Sequence, residues 1–121
     1  GWFDAVVARH SVALNGCTGI ALTKIDVLDD FETIKVCTAY QLDGRTVDSL
    51  PASAAAVERC KPVYEEIPGW KVDTSETRSW GDLPAEAKRY IARLEELAQC
   101  RISMVSVGRE RSAVIMRSEV H

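Results

Sequence analysis

The chain has 121 residues, of which 46% are hydrophobic and 27% are charged, and its 15 Lys and Arg against 18 Asp and Glu give a formal net charge of -3. This composition is typical of a single soluble globular domain. It argues against a domain that binds nucleic acid through the phosphates, and no apolar run reaches the roughly 20 residues of a membrane span.

The four cysteines, Cys17, Cys37, Cys60 and Cys100, include no C-x-x-C pair, so a zinc site is not expected. We expect all four to be reduced thiols of a cytosolic protein, because disulfides are rare in that compartment. The chain begins at Gly1 without a Met, and we therefore expect it to be a piece of a longer protein.

The first half of the chain predicts a helix, a strand and a hairpin. Apolar residues at helical spacing favour a helix from Asp4 to Leu14 that ends at Asn15-Gly16. Its apolar face is predicted to comprise Phe3, Val6, Val7, His10, Ala13 and Leu14. Residues 19–28, "GIALTKIDVL", read as a strand covered on both faces. "TIKVCTAYQL" and "RTVDSL", joined by Asp43-Gly44, predict a β-hairpin.

The second half predicts two helices and further strands. "PASAAAVERC" favours a short helix opened by Pro51, "PVYEEIPGWKV" an extended segment, and "DTSETRSWGD" a polar surface loop. A longer helix should begin near Asp82 and Pro84, with an apolar face of Leu83, Ala87, Tyr90, Ile91, Leu94, Leu97 and Ala98. "RISMVSVG" and "SAVIMRS" predict strands. The order indicates an α/β fold, in which helices flank a mostly parallel sheet that carries a β-hairpin.

Lys24 and Asp26 lie at the carboxyl end of the predicted strand 19–28. Ligands of α/β sheets bind at such strand ends, and two residues one position apart point to the same side of an extended backbone. A carboxylate there can accept hydrogen bonds from both N1–H and N2–H₂ of guanine, whereas adenine would leave it underpaired. The plainer interpretation, a strand end that simply emerges into solvent, stays open for so short a motif.

A second predicted strand ends at Ser106, Val107 and Gly108. In a parallel sheet this end would lie on the same edge as Lys24 and Asp26. Ser106 could bond a base directly, and the backbone near Val107 and Gly108 could donate an N–H to guanine O6, because glycine permits close approach. The pair of strand ends therefore predicts a guanine site.

Other conspicuous residues are interpreted as structural. The tryptophans Trp2, Trp70 and Trp80 are read as packing residues rather than as ligand-stacking ones. His10 is read as a packed or partly exposed histidine. The adjacent carboxylates at 65–66 and 95–96 diverge on a strand or a helix, so they form no acid–base pair.

Several blocks along the chain carry a family resemblance. They are "GWFDAV", "NG-x-T-G-x-ALTK-x-D-V-L-D", "IKVC-x-AY", "P-V-Y-E-x-x-PGW", "LP-x-x-A-x-x-Y" and "SVG-x-x-R", in this order. Together they cover nearly the whole chain and resemble the C-terminal part of adenylosuccinate synthetase. The T-K-x-D stretch also resembles the N-K-x-D motif of GTPases, with Thr23 in the place of the Asn.

The resemblance implies that residues 1–121 are the guanine-nucleotide-binding portion of a cytoplasmic GTP-dependent ligase. That family joins L-aspartate to IMP in AMP biosynthesis, with GTP and magnesium, and is expected to be a homodimer with no nucleic-acid or membrane partner. Lys24, Ile25 and Asp26 match its first guanine-reading segment, and Ser106, Val107 and Gly108 match its second.

The same resemblance places the catalytic residues, the phosphate-binding loop and the magnesium site outside this chain, so the chain alone is expected to be inactive and to hold no metal. Arg109 stands where the family often has a proline, which leaves the local turn open, and Arg111 matches a family arginine. A stand-alone, non-catalytic α/β binding or interaction module is the alternative interpretation.

Overall fold

The computed structural model describes residues 2–49, 53–108, 110 and 112–116. The helices are α1 Ala5–Asn15, α2 Ala54–Arg59 and α3 Ala85–Ala98. The strands are β1 Phe3–Asp4, β2 Ile20–Leu22, β3 Thr33–Leu42, β4 Arg45–Val47, β5 Lys61–Pro68, β6 Ile102–Ser106 and β7 Val114–Met116. Short 3₁₀ helices span Ile25–Leu28 and Trp80–Asp82. None of the helices in these ranges is long and apolar enough to cross a membrane.

The strands form two sheets. In the first, β3 pairs in parallel with β1 and antiparallel with β4 and β5. In the second, β6 lies between β2, its parallel neighbour, and β7, its antiparallel neighbour. The α/β class is confirmed, but parallel pairing is the minority among the described ladders. The β3–β4 pair is antiparallel because a tight turn joins its strands, whereas a parallel pair needs a long crossover.

The hairpin and the second-half elements form largely where they were predicted. Asp43 and Gly44 have φ of 51° and 84°, the positive values that a two-residue hairpin turn of the primed type requires. The hydroxyl of Ser53 accepts a hydrogen bond from the Ala56 N–H and caps α2. Pro51, the predicted start of that helix, and the end of the last predicted strand lie outside the described residues.

Helix α1 begins at Asp4, whose Oδ1 accepts hydrogen bonds from the N–H groups of Val6 and Val7. The helix is confirmed, but its predicted apolar face is confirmed only for Val6, which is buried, and for Phe3, which is half-buried. Val7 is 46% exposed, Leu14 is 72% exposed, and His10 is also exposed. The polar residue Arg9 is half-buried instead, because α1 packs on β3 and α3 and the guanidinium donates to the carbonyls of Asp48 and Leu97.

Helix α3 supplies much of the core shared by the two sheets. Its predicted apolar face is confirmed, since Ala87, Tyr90, Ile91, Leu94 and Ala98 are buried. Burial raises the pKa of the Tyr90 hydroxyl to about 12. The helix contacts β5 of the first sheet and β6 of the second, so it joins them into one core.

The cysteines only partly follow the sequence-based expectation. Cys37 is a buried free thiol and Cys60 a half-buried one, as expected. Cys17 and Cys100 instead form a disulfide, with their Cα atoms 5.5 Å apart. The two residues are 83 positions apart in sequence, and they meet because they immediately precede the paired strands β2 and β6, where the Ile20 N–H donates to the Arg101 carbonyl.

Thiol counting tests this disulfide. Denatured protein prepared without reductant should show two reactive thiols, from Cys37 and Cys60, and four after reduction. On the chain-entropy estimate, closing so long a loop stabilises the fold by about 4.5 kcal/mol, so Cys17→Ser should unfold more easily than Cys60→Ser, the matched control. Four thiols before reduction would show that the bond is absent.

An ion pair between α3 and β5 should make stability depend on pH. The guanidinium of Arg93 donates two hydrogen bonds of 2.7 Å to the Glu65 carboxylate and holds the pKa of Glu65 below its usual 4.5. A lowered folded-state pKa stabilises the fold above the unfolded-state value, and this contribution is lost as the pH falls through the folded-state pKa. Both side chains are about a third exposed, so we expect about 1 kcal/mol or less.

The measurement is chemical denaturation of Glu65→Gln against wild type. The variant should be less stable at about pH 7, and the difference should shrink as the pH falls through the folded-state pKa of Glu65 and the carboxylate of the wild type becomes protonated. Glu66→Gln, on the exposed face of the same strand, is the control and should show little difference at either pH. A difference that does not change with pH would contradict this role of the pair.

Candidate functional site

The segment that follows β2 does not stay extended. Lys24 has φ 55° and ψ 48°, a left-handed conformation, and Ile25–Leu28 then form a 3₁₀ helix. The predicted strand 19–28 is therefore wrong beyond Leu22, and so is the expectation that Lys24 and Asp26 share one side of it. The turn is held by Ile25, whose side chain is 1% exposed in the core.

Lys24 and Asp26 line different cavities. The exposed Lys24 borders a cavity of about 290 Å³, together with Trp2, Phe3 and Tyr90. Asp26 borders a cavity of about 350 Å³. The other residues that line this second cavity are Asp29, Asp30, Lys71, Val72, Asp73 and Ser75. We call it the acidic cavity.

The carboxylate of Asp26 is incompletely paired. Its Oδ1 is buried and has no hydrogen-bond partner within the parts of the chain that the structure describes. A buried acceptor without a partner costs about 1 to 3 kcal/mol. A ligand that brings an N–H donor to this oxygen would recover that free energy, so Asp26 is the strongest candidate for a ligand-reading group.

The charges of the acidic cavity select the kind of ligand. Four aspartates line it with one cation, Lys71, whose ammonium lies 3.2 Å from the Glu32 carboxylate. The hydroxyl and N–H of Ser75 hold the pKa of Asp73 below its usual value, which keeps that carboxyl ionised. Such a wall attracts hydrogen-bond donors and repels phosphates. No cluster of three or more His, Cys, Asp or Glu that could hold a metal ion occurs among the described residues.

The carboxyl end of β6 lies on the same sheet edge as the carboxyl end of β2, as predicted. Leu22 and Val105 are partners in the parallel β2–β6 ladder, so the residues after each strand lie at the same sheet edge. The Ser106 hydroxyl donates to the Gly108 carbonyl at 3.1 Å. The Val107 N–H donates to the Ala113 carbonyl at 2.8 Å and is therefore not available to a ligand.

Gly108 lines a neighbouring cavity of about 410 Å³. A Cβ at this position would lie 3.2 Å from the Ala113 side chain, so the backbone here runs close to its surroundings. Ser75 lines both this cavity and the acidic cavity, which makes the two adjacent. Arg109 and Arg111 lie outside the described residues.

The loop that carries Ser75 was predicted as a plain surface loop, yet it is firmly anchored. Thr74 is fully buried, and its N–H and hydroxyl both donate to the Asp29 carboxylate at 2.8 Å. Trp70 is 5% exposed, as expected for a packing residue, and its Nε1–H donates to Asp29 at 2.7 Å. Sequence reasoning missed Asp29 and Thr74, since they are 45 residues apart and no local pattern links them.

Comparison with known families gives a clear match. The family model of adenylosuccinate synthetase matches residues 1–115. A relative from Trichlorobacter lovleyi, named adenylosuccinate synthetase, is 60% identical over 116 residues, which are 96% of this chain. The relative of the same name from Geobacter sulfurreducens is 54% identical over 118 residues, or 98% of the chain. The chain spans 27% of the length of each of these curated relatives.

A solved structure agrees with these matches. The fully ligated adenylosuccinate synthetase from Plasmodium falciparum is similar to this chain with a TM-score of 0.90 and 31% sequence identity. The similarity covers 98% of this chain and 29% of that protein.

Substitution of Gly69 tests how tightly the anchored loop is attached. A Cβ on Gly69 would overlap the Phe31 carbonyl oxygen and lie 3.0 Å from the carbonyl carbon, and the Gly69 N–H donates to the Glu32 carbonyl. Because the obstructing atoms are backbone, Gly69→Ala should lower the free energy of unfolding by about 1 to 3 kcal/mol in denaturant titrations.

Gly81→Ala is the matched control. Apart from its two chain neighbours, no described residue has an atom within 4 Å of a Cβ at Gly81, so its effect should stay within about 0.5 kcal/mol. Equal stability of the two variants would show that the junction before Trp70 is not tightly packed.

Proposed function

Because the chain belongs to the adenylosuccinate synthetase family, we propose that it is the C-terminal, guanine-reading portion of a ligase that forms adenylosuccinate from IMP and L-aspartate with hydrolysis of GTP. This enzyme would catalyse a step of AMP biosynthesis in the cytoplasm and would work as a homodimer. Relatives at 54% to 60% identity are named as synthetases, which does not favour the alternative of a stand-alone binding module.

The observation that carries the guanine assignment is the Oδ1 of Asp26, which is buried and finds no hydrogen-bond partner among the described residues. Guanine presents two adjacent donors, N1–H and N2–H₂, on one edge, and a carboxylate accepts both at once. Adenine has no hydrogen on N1 and would leave one carboxylate oxygen buried and unpaired. The acidic cavity therefore favours the base edge of GTP and disfavours its phosphates.

The remaining site residues have distinct parts in this proposal. Ile25 holds the turn by its burial. Lys24 lines a different cavity from Asp26, and its long, exposed side chain is proposed to reach the open face of the base with its aliphatic stem and positive charge. At the second strand end Ser106 contacts the base. Gly108 supplies the N–H for guanine O6, because the Val107 N–H is already used within the fold.

GTP supplies the phosphoryl group that activates the 6-oxygen of IMP, so that the aspartate amine can displace phosphate. None of these steps is assigned to a residue of this chain. Magnesium, the phosphate-binding loop and the catalytic residues are proposed to lie in the rest of the synthetase, and the chain by itself is proposed to be inactive. Its contribution is to select the nucleotide.

Replacement of Asp26 by Asn in the full-length synthetase tests this selection. The substituted side chain would present an amide N–H₂ where guanine also presents an N–H₂, so the KM for GTP should rise about 10-fold or more. Xanthosine triphosphate carries an oxygen in place of that amino group, and it should become a better substrate than for wild type. The KM values for IMP and aspartate should stay unchanged.

Asp43→Asn is the control for the lost charge. Asp43 lies in the exposed hairpin turn and pairs with Arg59, and Asn tolerates its positive φ. Its nucleotide kinetics should equal those of wild type. Unchanged GTP kinetics in Asp26→Asn, or equal use of ATP and GTP by wild type, would overturn the guanine assignment.

A further inference from the structure

Two aspartates three positions apart, Asp26 and Asp29, line the acidic cavity with opposite hydrogen-bonding states. Asp26 Oδ1 has no partner among the described residues. Asp29 accepts three hydrogen bonds of 2.7 to 2.8 Å, from Trp70 Nε1, the Thr74 hydroxyl and the Thr74 N–H. A carboxylate offers about four acceptor positions, so Asp29 is nearly saturated and has little left for a ligand.

Asp29 is also connected to Asp26 through the backbone. Its N–H donates to the Asp26 carbonyl at 3.1 Å and closes the last turn of the 3₁₀ helix. One residue therefore joins the turn that carries Asp26 to the loop that faces it. A shift of the Asp29 carboxylate would be transmitted to both walls of the acidic cavity.

The loop held by Asp29 also lies between the two candidate guanine-contacting segments. Ser75 follows the fully buried Thr74 directly and lines both the acidic cavity and the cavity beside Gly108. The position of Thr74 thus fixes Ser75, the residue that borders the cavity of Asp26 and the cavity of Gly108. Hydrogen bonds to an ionised carboxylate are among the stronger ones in proteins, which suits them to hold such a wall.

We propose that Asp29 is a positioning residue for guanine recognition. By holding Trp70 and Thr74, it keeps the loop of residues 70–75 in the position that lets the Asp26 carboxylate and Gly108 contact the same base. The inference rests on the proposed function, since it presupposes that Asp26 reads the base. Asp29 itself does not contact the nucleotide.

Three variants of the full-length synthetase test this inference. Asp29→Asn keeps the shape but replaces one acceptor oxygen by an N–H₂ that meets a donor of Trp70 or Thr74. Thr74→Val removes the hydroxyl donor and keeps the N–H, while Thr74→Ser keeps both donors. Steady-state kinetics with GTP and with inosine triphosphate, which lacks the 2-amino group, measure how well that group is read.

Asp29→Asn should raise the KM for GTP about tenfold and reduce the preference for GTP over inosine triphosphate, with kcat and the KM for IMP within about twofold of wild type. Thr74→Val should show a smaller change of the same kind, and Thr74→Ser should resemble wild type. Asp82→Asn is the matched control, because Asp82 accepts a hydrogen bond from the Ser79 hydroxyl away from the acidic cavity.

A purely structural role predicts a different pattern. Loss of folded enzyme lowers kcat and leaves both the KM values and the preference for GTP unchanged, and this result in Asp29→Asn and Thr74→Val would overturn the inference. If Asp29→Asn fails to fold, the Thr74→Val and Thr74→Ser pair decides by the same criterion.

The Asp26→Asn variant separates this inference from the proposed function. If Asp26→Asn alters the preference between the two nucleotides and the Asp29 and Thr74 variants do not, only the positioning role fails. If Asp26→Asn leaves the preference unaltered, the guanine assignment fails, and the positioning role fails with it.

Discussion

The parallel pairing of β2 with β6 is the constraint on which the candidate site depends. The ladder sets Leu22 beside Val105, so the residues that follow each strand leave the sheet at one edge. The same ladder brings together the segments that precede the strands, where Cys17 and Cys100 form a disulfide. One pairing thus determines both the site at one end of the strands and the covalent link at the other.

Hydrogen bonding distinguishes the carboxylates of the acidic cavity. Identical side chains differ here only in the donors that reach them. Asp29 is nearly saturated by Trp70 and Thr74, whereas an oxygen of Asp26 stays buried without a partner among the described residues. An unpaired buried acceptor is costly and a paired one is not. The bonds of Asp29 therefore favour a fixed loop, and the unpaired oxygen of Asp26 favours a ligand. Residue type alone does not distinguish these two roles.

The elements predicted correctly are those whose signal is local. Helix α3 has an apolar face at helical spacing, and its buried residues are the predicted ones. The Asp43-Gly44 turn permits the positive φ values that a tight hairpin needs, so the hairpin was also predictable. The buried face of α1 was predicted only in part. Val6 is buried as expected, but Arg9 gains carbonyl partners from residues 39 and 88 positions away and is half-buried, while Val7 is exposed.

The sequence by itself determined the α/β class, the helices, the hairpin and the two segments around Asp26 and Gly108 that carry the guanine hypothesis. These features follow from periodicity, turn chemistry and family motifs, which are all local patterns in the sequence. Only the tertiary structure decided that the chain turns at Lys24, that Cys17 and Cys100 are bonded, and that Asp29 holds the loop wall. Those features depend on donors, acceptors and packing partners far apart in sequence, and their contacts exist only once the chain has folded.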